Sequence, residues 1–115
     1  MITVYGIPNC DTVKKARAWL DDAGVAYAFH DYKKSGVPQP QLDVWIKQVG
    51  WEKLVNRQGM MWRKLDDAAK AAVVDAASAN ALMMATPSVI KRPVVEAGGQ
   101  LLVGFDAALW SKVLK

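Results

Sequence analysis

The chain carries one cysteine, Cys10, in the run Tyr5-Gly6-Ile7-Pro8-Asn9-Cys10-Asp11-Thr12, and one histidine, His30. A single thiol excludes an internal disulfide, and one cysteine with one histidine excludes a zinc site of the structural Cys/His kind, so no metal is expected. Cys10 is therefore either a small packed hydrophobe or a reactive thiol. A thiol attacks only as its thiolate, and the free N–H groups and positive dipole end of a helix N-terminus stabilise that anion. The polar flanks Asn9, Asp11 and Thr12 favour the reactive reading. Lys14, one helical turn on, adds positive charge, whereas Asp11 opposes ionisation. A C-x-x-C pair would need a thiol at position 13, which is Val13. A mixed disulfide formed on Cys10 must then be resolved by an outside thiol. Glutathione, small, anionic and abundant in the cytoplasm, is the expected co-substrate, with a disulfide or glutathionylated thiol as substrate and no bound cofactor.

Arg92-Pro93 leads directly into a β-prone run, a position that suits a cis-proline beside a reactive cysteine in thioredoxin folds as well as an ordinary trans-proline. Arg92 would then face Cys10 with a guanidinium fork suited to a carboxylate or oxyanion. Arg57 sits in the loop Leu54-Val55-Asn56-Arg57-Gln58-Gly59, where an arginine is usually just solvated. His30 ends a strand and reads as a hydrogen-bonded structural residue rather than a catalytic one. The five tryptophans read as packing residues, with Trp45 on an apolar helix face.

The elements that must position these residues follow from periodicity. Ile2 to Tyr5 is β-prone and ends at Gly6-Ile7-Pro8-Asn9. A helix follows from Asp11, with Val13, Ala16 and Leu20 on one face and Gly24 as its stop. Residues 25–32 alternate as a second strand, parallel to the first by the crossover rule. Leu42, Trp45, Ile46 and Val49, spaced i, i+3, i+4 and i+7, mark a helix that ends at Gly50. Leu65 to Ala77 and Ser78 to Ala85 read as two more helices before Thr86-Pro87. Val94-Val95-Glu96, Gly98-Gly99 and Leu101-Leu102-Val103 signal a hairpin, and Asp106 opens a last helix carrying Leu109, Val113 and Leu114. The expected architecture is α/β: a thioredoxin-like βαβ…ββα fold with a four-stranded mixed sheet, forming one domain over residues 1–115 with a helical insertion at about 38–86.

Composition bounds the rest. With 115 residues and 52% hydrophobic content, the chain reads as one globular domain. No apolar run approaches the ~18 residues needed to cross a bilayer, and the first residues lack the pattern of a signal peptide, so the expectation is a cytoplasmic protein without membrane contact. The net charge of +4 is spread over short clusters without a docking element for nucleic acid. That distribution reads as an ordinary soluble basic surface rather than a nucleic-acid footprint, with attraction of an anionic substrate the alternative role for several of these charges.

Taken together, Tyr5 to Thr12, Asp75-Ala76-Ala77-Ser78 and Ile90-Lys91-Arg92-Pro93-Val94 resemble the arsenate reductase-like family, and within it the YffB branch. The resemblance spans nearly the whole chain and implies a thioredoxin-like fold and a monothiol mechanism. In its glutaredoxin-coupled arsenate reductases, the cysteine attacks arsenate and three arginines surround the oxyanion. The first two fall on Arg57 and Arg92, whereas the third falls on Phe105. The histidine that precedes the cysteine falls on Gly6, and the hydroxyl residue three after it falls on Val13. With those groups missing, the resemblance implies the branch's glutathione-dependent thiol reduction. Cys10 would be the nucleophile, and Asn9, Thr12, Lys14, Arg57, Arg92 and Pro93 would bind substrate. Arsenate reduction with glutaredoxin as partner is one alternative. The other is a regulator like Spx, which shares the fold and binds RNA polymerase but uses a C-x-x-C switch that Val13 removes.

Overall fold

The computed structural model describes residues 2–114. The element order is β1 (Ile2–Gly6), α1 (Asp11–Asp22), β2 (Ala28–Asp31), α2 (Tyr32–Ser35), α3 (Gln39–Val49), α4 (Trp51–Leu54), α5 (Met60–Lys64), α6 (Asp67–Ala71), α7 (Ala76–Ala85), a 3-10 turn (Pro87–Val89), β3 (Val94–Ala97), β4 (Gln100–Val103) and α8 (Ala107–Leu114). Two compact units result, Met1–Ser35 with Arg92–Lys115, and Gly36–Lys91.

The first unit holds the four-stranded sheet, in the order β2-β1-β3-β4. β1 runs parallel to β2, with Tyr5 level with His30, and antiparallel to β3, with Tyr5 level with Val94. β3 and β4 form the expected hairpin across Gly98-Gly99. Because side chains alternate along a strand, Val4 and Tyr5 serve opposite faces. Val4, Val95 and Leu102 join Ala16 and Leu20 of α1 and Trp110 of α8 in one core cluster. Residues three and four apart on a helix share a face, which is why Val13, Ala16 and Leu20 are the buried residues of α1. This is the mixed thioredoxin-like α/β sheet that the pattern implies. β2 is shorter than the alternating run, since Tyr32 already begins α2.

Gly6 is fixed by close approach rather than by backbone angle. A Cβ on it would lie 2.9 Å from Cγ2 of Val13. Two of the three positions at which the arsenate-reductase pattern is missing, Gly6 and Val13, are thus a single packed pair, bulk at residue 13 filling what a side chain at residue 6 would occupy. Gly6→Ala is expected to destabilise the fold by about 1–3 kcal/mol, the usual range for overpacking. The double variant Gly6→Ala/Val13→Ala should cost less than the sum of the single changes, a coupling read from urea denaturation of all four proteins.

The second unit is helical. α3 buries Leu42 and Trp45 and ends at Gly50, whose φ of 88° favours glycine. α7 buries Ala79 and Met83. Its N-terminus is closed by a capping box in which the Asp75 carboxylate accepts the Ser78 N–H at 2.9 Å and the Ser78 hydroxyl oxygen accepts the Asp75 N–H at 3.1 Å. The backbone N–H of Ser78, and then its hydroxyl, hold the Asp75 carboxyl below its ordinary value. A folded value below the unfolded one gives stability that is complete above the unfolded value of about 4 and is lost as pH falls through the folded one. Thermal unfolding followed by circular dichroism should therefore show Asp75→Ala less stable than the parent near pH 6, with the two curves converging in strong acid. Among the described residues, no helix is long and apolar enough to cross a membrane.

Candidate functional site

Cys10 occupies the N-cap of α1, with φ −89° and ψ 129°, and its side chain makes no capping hydrogen bond. The loop that delivers it is short and anchored. Ile7 is buried, the Cys10 N–H donates to the Ile7 carbonyl at 3.2 Å, and the Cys10 carbonyl accepts the Lys14 N–H at 2.9 Å. The sulfur is thus carried at the end of a twelve-residue helix whose first N–H groups have no intrahelical acceptor. Cys10 is half-buried, whereas Asn9, Thr12 and Lys14 are exposed around it.

The antiparallel register of β1 and β3 brings Pro93 to the same end of the sheet. Tyr5 pairs with Val94, so the next level out sets Gly6 opposite Pro93. The Arg92–Pro93 peptide bond is cis. Pro93 is buried, and its carbonyl accepts the Gly104 N–H at 2.8 Å, which ties the strand entry to the end of the hairpin. Arg92 is half-buried.

On the sheet face opposite the Val4 core lies a polar network with no signature in the sequence. The Tyr5 hydroxyl donates to Glu96 Oε1 at 2.6 Å, and the His30 ring stacks 5.1 Å from Tyr5 and 6.0 Å from Tyr32. Burial, and then the Glu96 hydrogen bond and charge, push the Tyr5 phenol above its ordinary range. Burial raises the Tyr32 phenol as well; Tyr5 and Glu96 add to the rise and Arg92 opposes it. Both phenols stay protonated at neutral pH, so Glu96 is the acceptor. His30 is thereby a ring-packed member of this network. Tyr5, Tyr32 and Glu96 escape sequence reading because Tyr5 and Glu96 are 91 residues apart.

The first unit therefore brings together Asn9, Cys10, Thr12 and Lys14 at the start of α1 and Arg92 with Pro93 at the start of β3. Arg57 belongs to the second unit. There its guanidinium lies 5.3 Å from the Trp51 ring centroid and 5.9 Å from that of Trp62, so indole faces hold its plane. Asn56 builds the same loop by donating its N–H to the Val89 carbonyl at 2.7 Å and accepting the Gln58 N–H on its side chain at 3.2 Å. Phe105, at the third arginine position of the arsenate-reductase pattern, packs 4.9 Å from Trp110 and 6.4 Å from Trp19, ring centre to ring centre. That position serves the aromatic core.

A mixed βαβ…ββα sheet with the chain's one cysteine at the N-cap position of the first helix and a cis-proline leading the third strand defines a thioredoxin-like fold. The chain belongs to the ArsC family, whose pattern matches residues 5–113. Its structure superposes on the YFFB protein with a TM-score of 0.94 at 50% identity, covering 100% of both chains. An arsenate reductase (ArsC) related protein from Brucella melitensis matches at 53% identity with a TM-score of 0.77, over 99% of this chain and 94% of that one. An uncharacterized protein of Haemophilus influenzae is 42% identical over 92% of each chain.

Proposed function

We propose that the protein is a cytoplasmic glutathione-dependent monothiol reductase. The observation that carries this reading is Cys10 itself, the chain's one thiol, standing at a helix N-cap with no side-chain hydrogen bond among the described residues. In the first step the Cys10 thiolate attacks the glutathione sulfur of a glutathionylated substrate. A Cys10–glutathione disulfide forms, the substrate disulfide breaks, and the substrate sulfur leaves as a thiolate that takes a proton from water. In the second step a glutathione thiolate attacks the glutathione sulfur of that disulfide. Oxidised glutathione leaves and the Cys10 thiolate returns. Overall, one glutathione thiol is exchanged for one substrate thiol: the substrate sulfur is reduced, the incoming glutathione sulfur is oxidised, and the glutathione sulfur carried through Cys10 stays at the disulfide level throughout. Arg92 supplies a cation for a glutathione carboxylate, Pro93 holds the strand entry against which the peptide lies, and Asn9, Thr12 and Lys14 line its approach.

The test is reduction of a glutathionylated peptide by glutathione, coupled to glutathione reductase and NADPH, with arsenate and glutaredoxin offered in a parallel assay. Peptide turnover without arsenite formation supports the reading. Arsenite formation alone, or no turnover in either assay with Cys10 readily alkylated near neutral pH, overturns it in favour of arsenate reduction or of RNA polymerase binding respectively. Phe105 favours the first outcome, because the core packing of its ring leaves no third arginine for an oxyanion.

A further inference from the structure

A cavity of about 490 Å³ opens on the first unit, along the outer edge of β2. Its wall includes Pro8 of the Cys10 loop, Arg17 of α1, Phe29 and Asp31 of β2, and Lys34 of α2. Arg17 is held there in a fixed pose. Its guanidinium carbon lies 4.2 Å from the Phe29 ring centroid and 5.9 Å from that of Tyr27, and its Nε–H donates to the Tyr27 hydroxyl at 3.1 Å. A guanidinium carries five N–H donors, so four remain, and among the described residues none of them meets an acceptor. Lys34 is exposed and is likewise without a carboxylate partner among the described residues. The opposing charge on the wall is Asp31, one of whose oxygens already accepts the Lys33 N–H at 2.8 Å. Two cations against one engaged carboxylate leave the cavity with a net positive charge.

We infer that this cavity is a carboxylate-binding subsite for the thiol peptide that reacts at Cys10, with Arg17 and Lys34 as its ligands. The inference rests on the monothiol reading above. Arg17 follows Cys10 by seven residues, which on a helix means the same stripe and about 10 Å along the axis. An extended tripeptide spans about the same distance end to end, so its central thiol lies about half of that from either carboxylate. The side chain of a helical arginine, which leans back toward the N-terminus, covers the rest. A thiol seated at Cys10 can therefore set a terminal carboxylate against Arg17, and Pro8 of the Cys10 loop forms part of the wall of the same cavity. The stacking on Phe29 and the bond to Tyr27 remove most of the entropy that a free arginine would lose on binding, so the fork is ready for a bidentate contact. Arg92 and this subsite would hold two separate anionic ends of one ligand.

The experiment compares two thiols, glutathione, which carries carboxylates, and cysteamine, which carries none, as resolving thiols for the parent, Arg17→Gln and Lys34→Gln. The expected result is a preference for glutathione in the parent that shrinks about tenfold in each variant, through KM for glutathione and with kcat held within about twofold, the size of one charge-assisted hydrogen bond. Lys34→Gln guards against a folding artefact, because Lys34 is exposed. A second readout is free of catalysis: titration of reduced glutathione into ¹⁵N-labelled full-length protein should shift the Arg17 Nε–Hε resonance, and cysteamine should not. Turnover with an unchanged preference in both variants overturns the inference and leaves the monothiol reading standing. Absent turnover with the Arg17 resonance still shifted by glutathione overturns the monothiol reading and supports the subsite.

Discussion

Cys10→Ser should lower glutathione-dependent turnover by about a thousandfold or more, to the rate at which glutathione attacks the glutathionylated peptide unaided. A serine hydroxyl stays protonated at neutral pH and cannot form the disulfide intermediate, so both halves of the cycle disappear together. Loss of a covalent nucleophile is among the largest single-residue effects on an enzyme, leaving only what binding provides. The same substitution should leave stability equal or raise it. Cys10 makes no side-chain capping bond, and serine is among the preferred N-cap residues, worth about 0.5–2 kcal/mol over residues that cannot accept there. The pairing is diagnostic when thermal unfolding and turnover are measured on the same preparation. An inactive variant with an unchanged or higher melting temperature locates the loss in chemistry. A variant that keeps turnover removes Cys10 from the mechanism.

Trp110→Ala should be the most damaging core change, at about 3–5 kcal/mol, or a fall of roughly 12–20 °C in melting temperature for a chain of this size. Trp110 is 0% exposed and stacks edge-on at 4.9 Å from Phe105 and 5.8 Å from Trp19. It belongs to the cluster that joins α1, α8 and three strands. Its indole N–H, however, has no hydrogen-bond partner among the described residues. An orphaned buried donor costs about 1–3 kcal/mol, so Trp110→Phe sheds a penalty while losing some ring area. Trp110→Phe is expected to cost well under half of the alanine change. Chemical denaturation with both variants checks the ratio; equal costs would show that the orphaned N–H carries no penalty.

How legible the fold was depended on element length. α1 and α3 run for two turns or more, so Val13, Ala16 and Leu20, and Leu42 and Trp45, announce their buried faces. α4 and α5, with four and five residues, are too short for a 3.6-residue period to repeat, and α6 covers only Asp67–Ala71 of the alanine-rich stretch read as helix. In α8, Leu109 was among the residues read as carrying the apolar face, yet it is 45% exposed while Trp110 is buried. The aromatic partners Trp19 and Phe105 claim the core position there, and those partners are set by tertiary contact rather than by spacing. Cys10 was legible at the site because the chain has one thiol and a helix start beside it. Arg17 and Tyr5 were not, because what singles them out is a stacking partner on β2 and an acceptor on β3, neither of which a linear pattern contains.

The distance along the chain between Tyr5 and its acceptor Glu96, 91 residues, has a consequence for biosynthesis. At a translation rate of about 5–20 residues per second, β1 waits roughly 5–20 s on the ribosome before β3 exists to pair with it. During that interval α1 and β2 are already made, so β1 can close on one side only. Its other side, with the backbone groups of Ile2 to Tyr5 that β3 will take, stays an open strand edge. The nascent chain therefore passes through a stage at which one of its two inner strands is an aggregation template, and the arrival of residues 94–97 is the event that ends it.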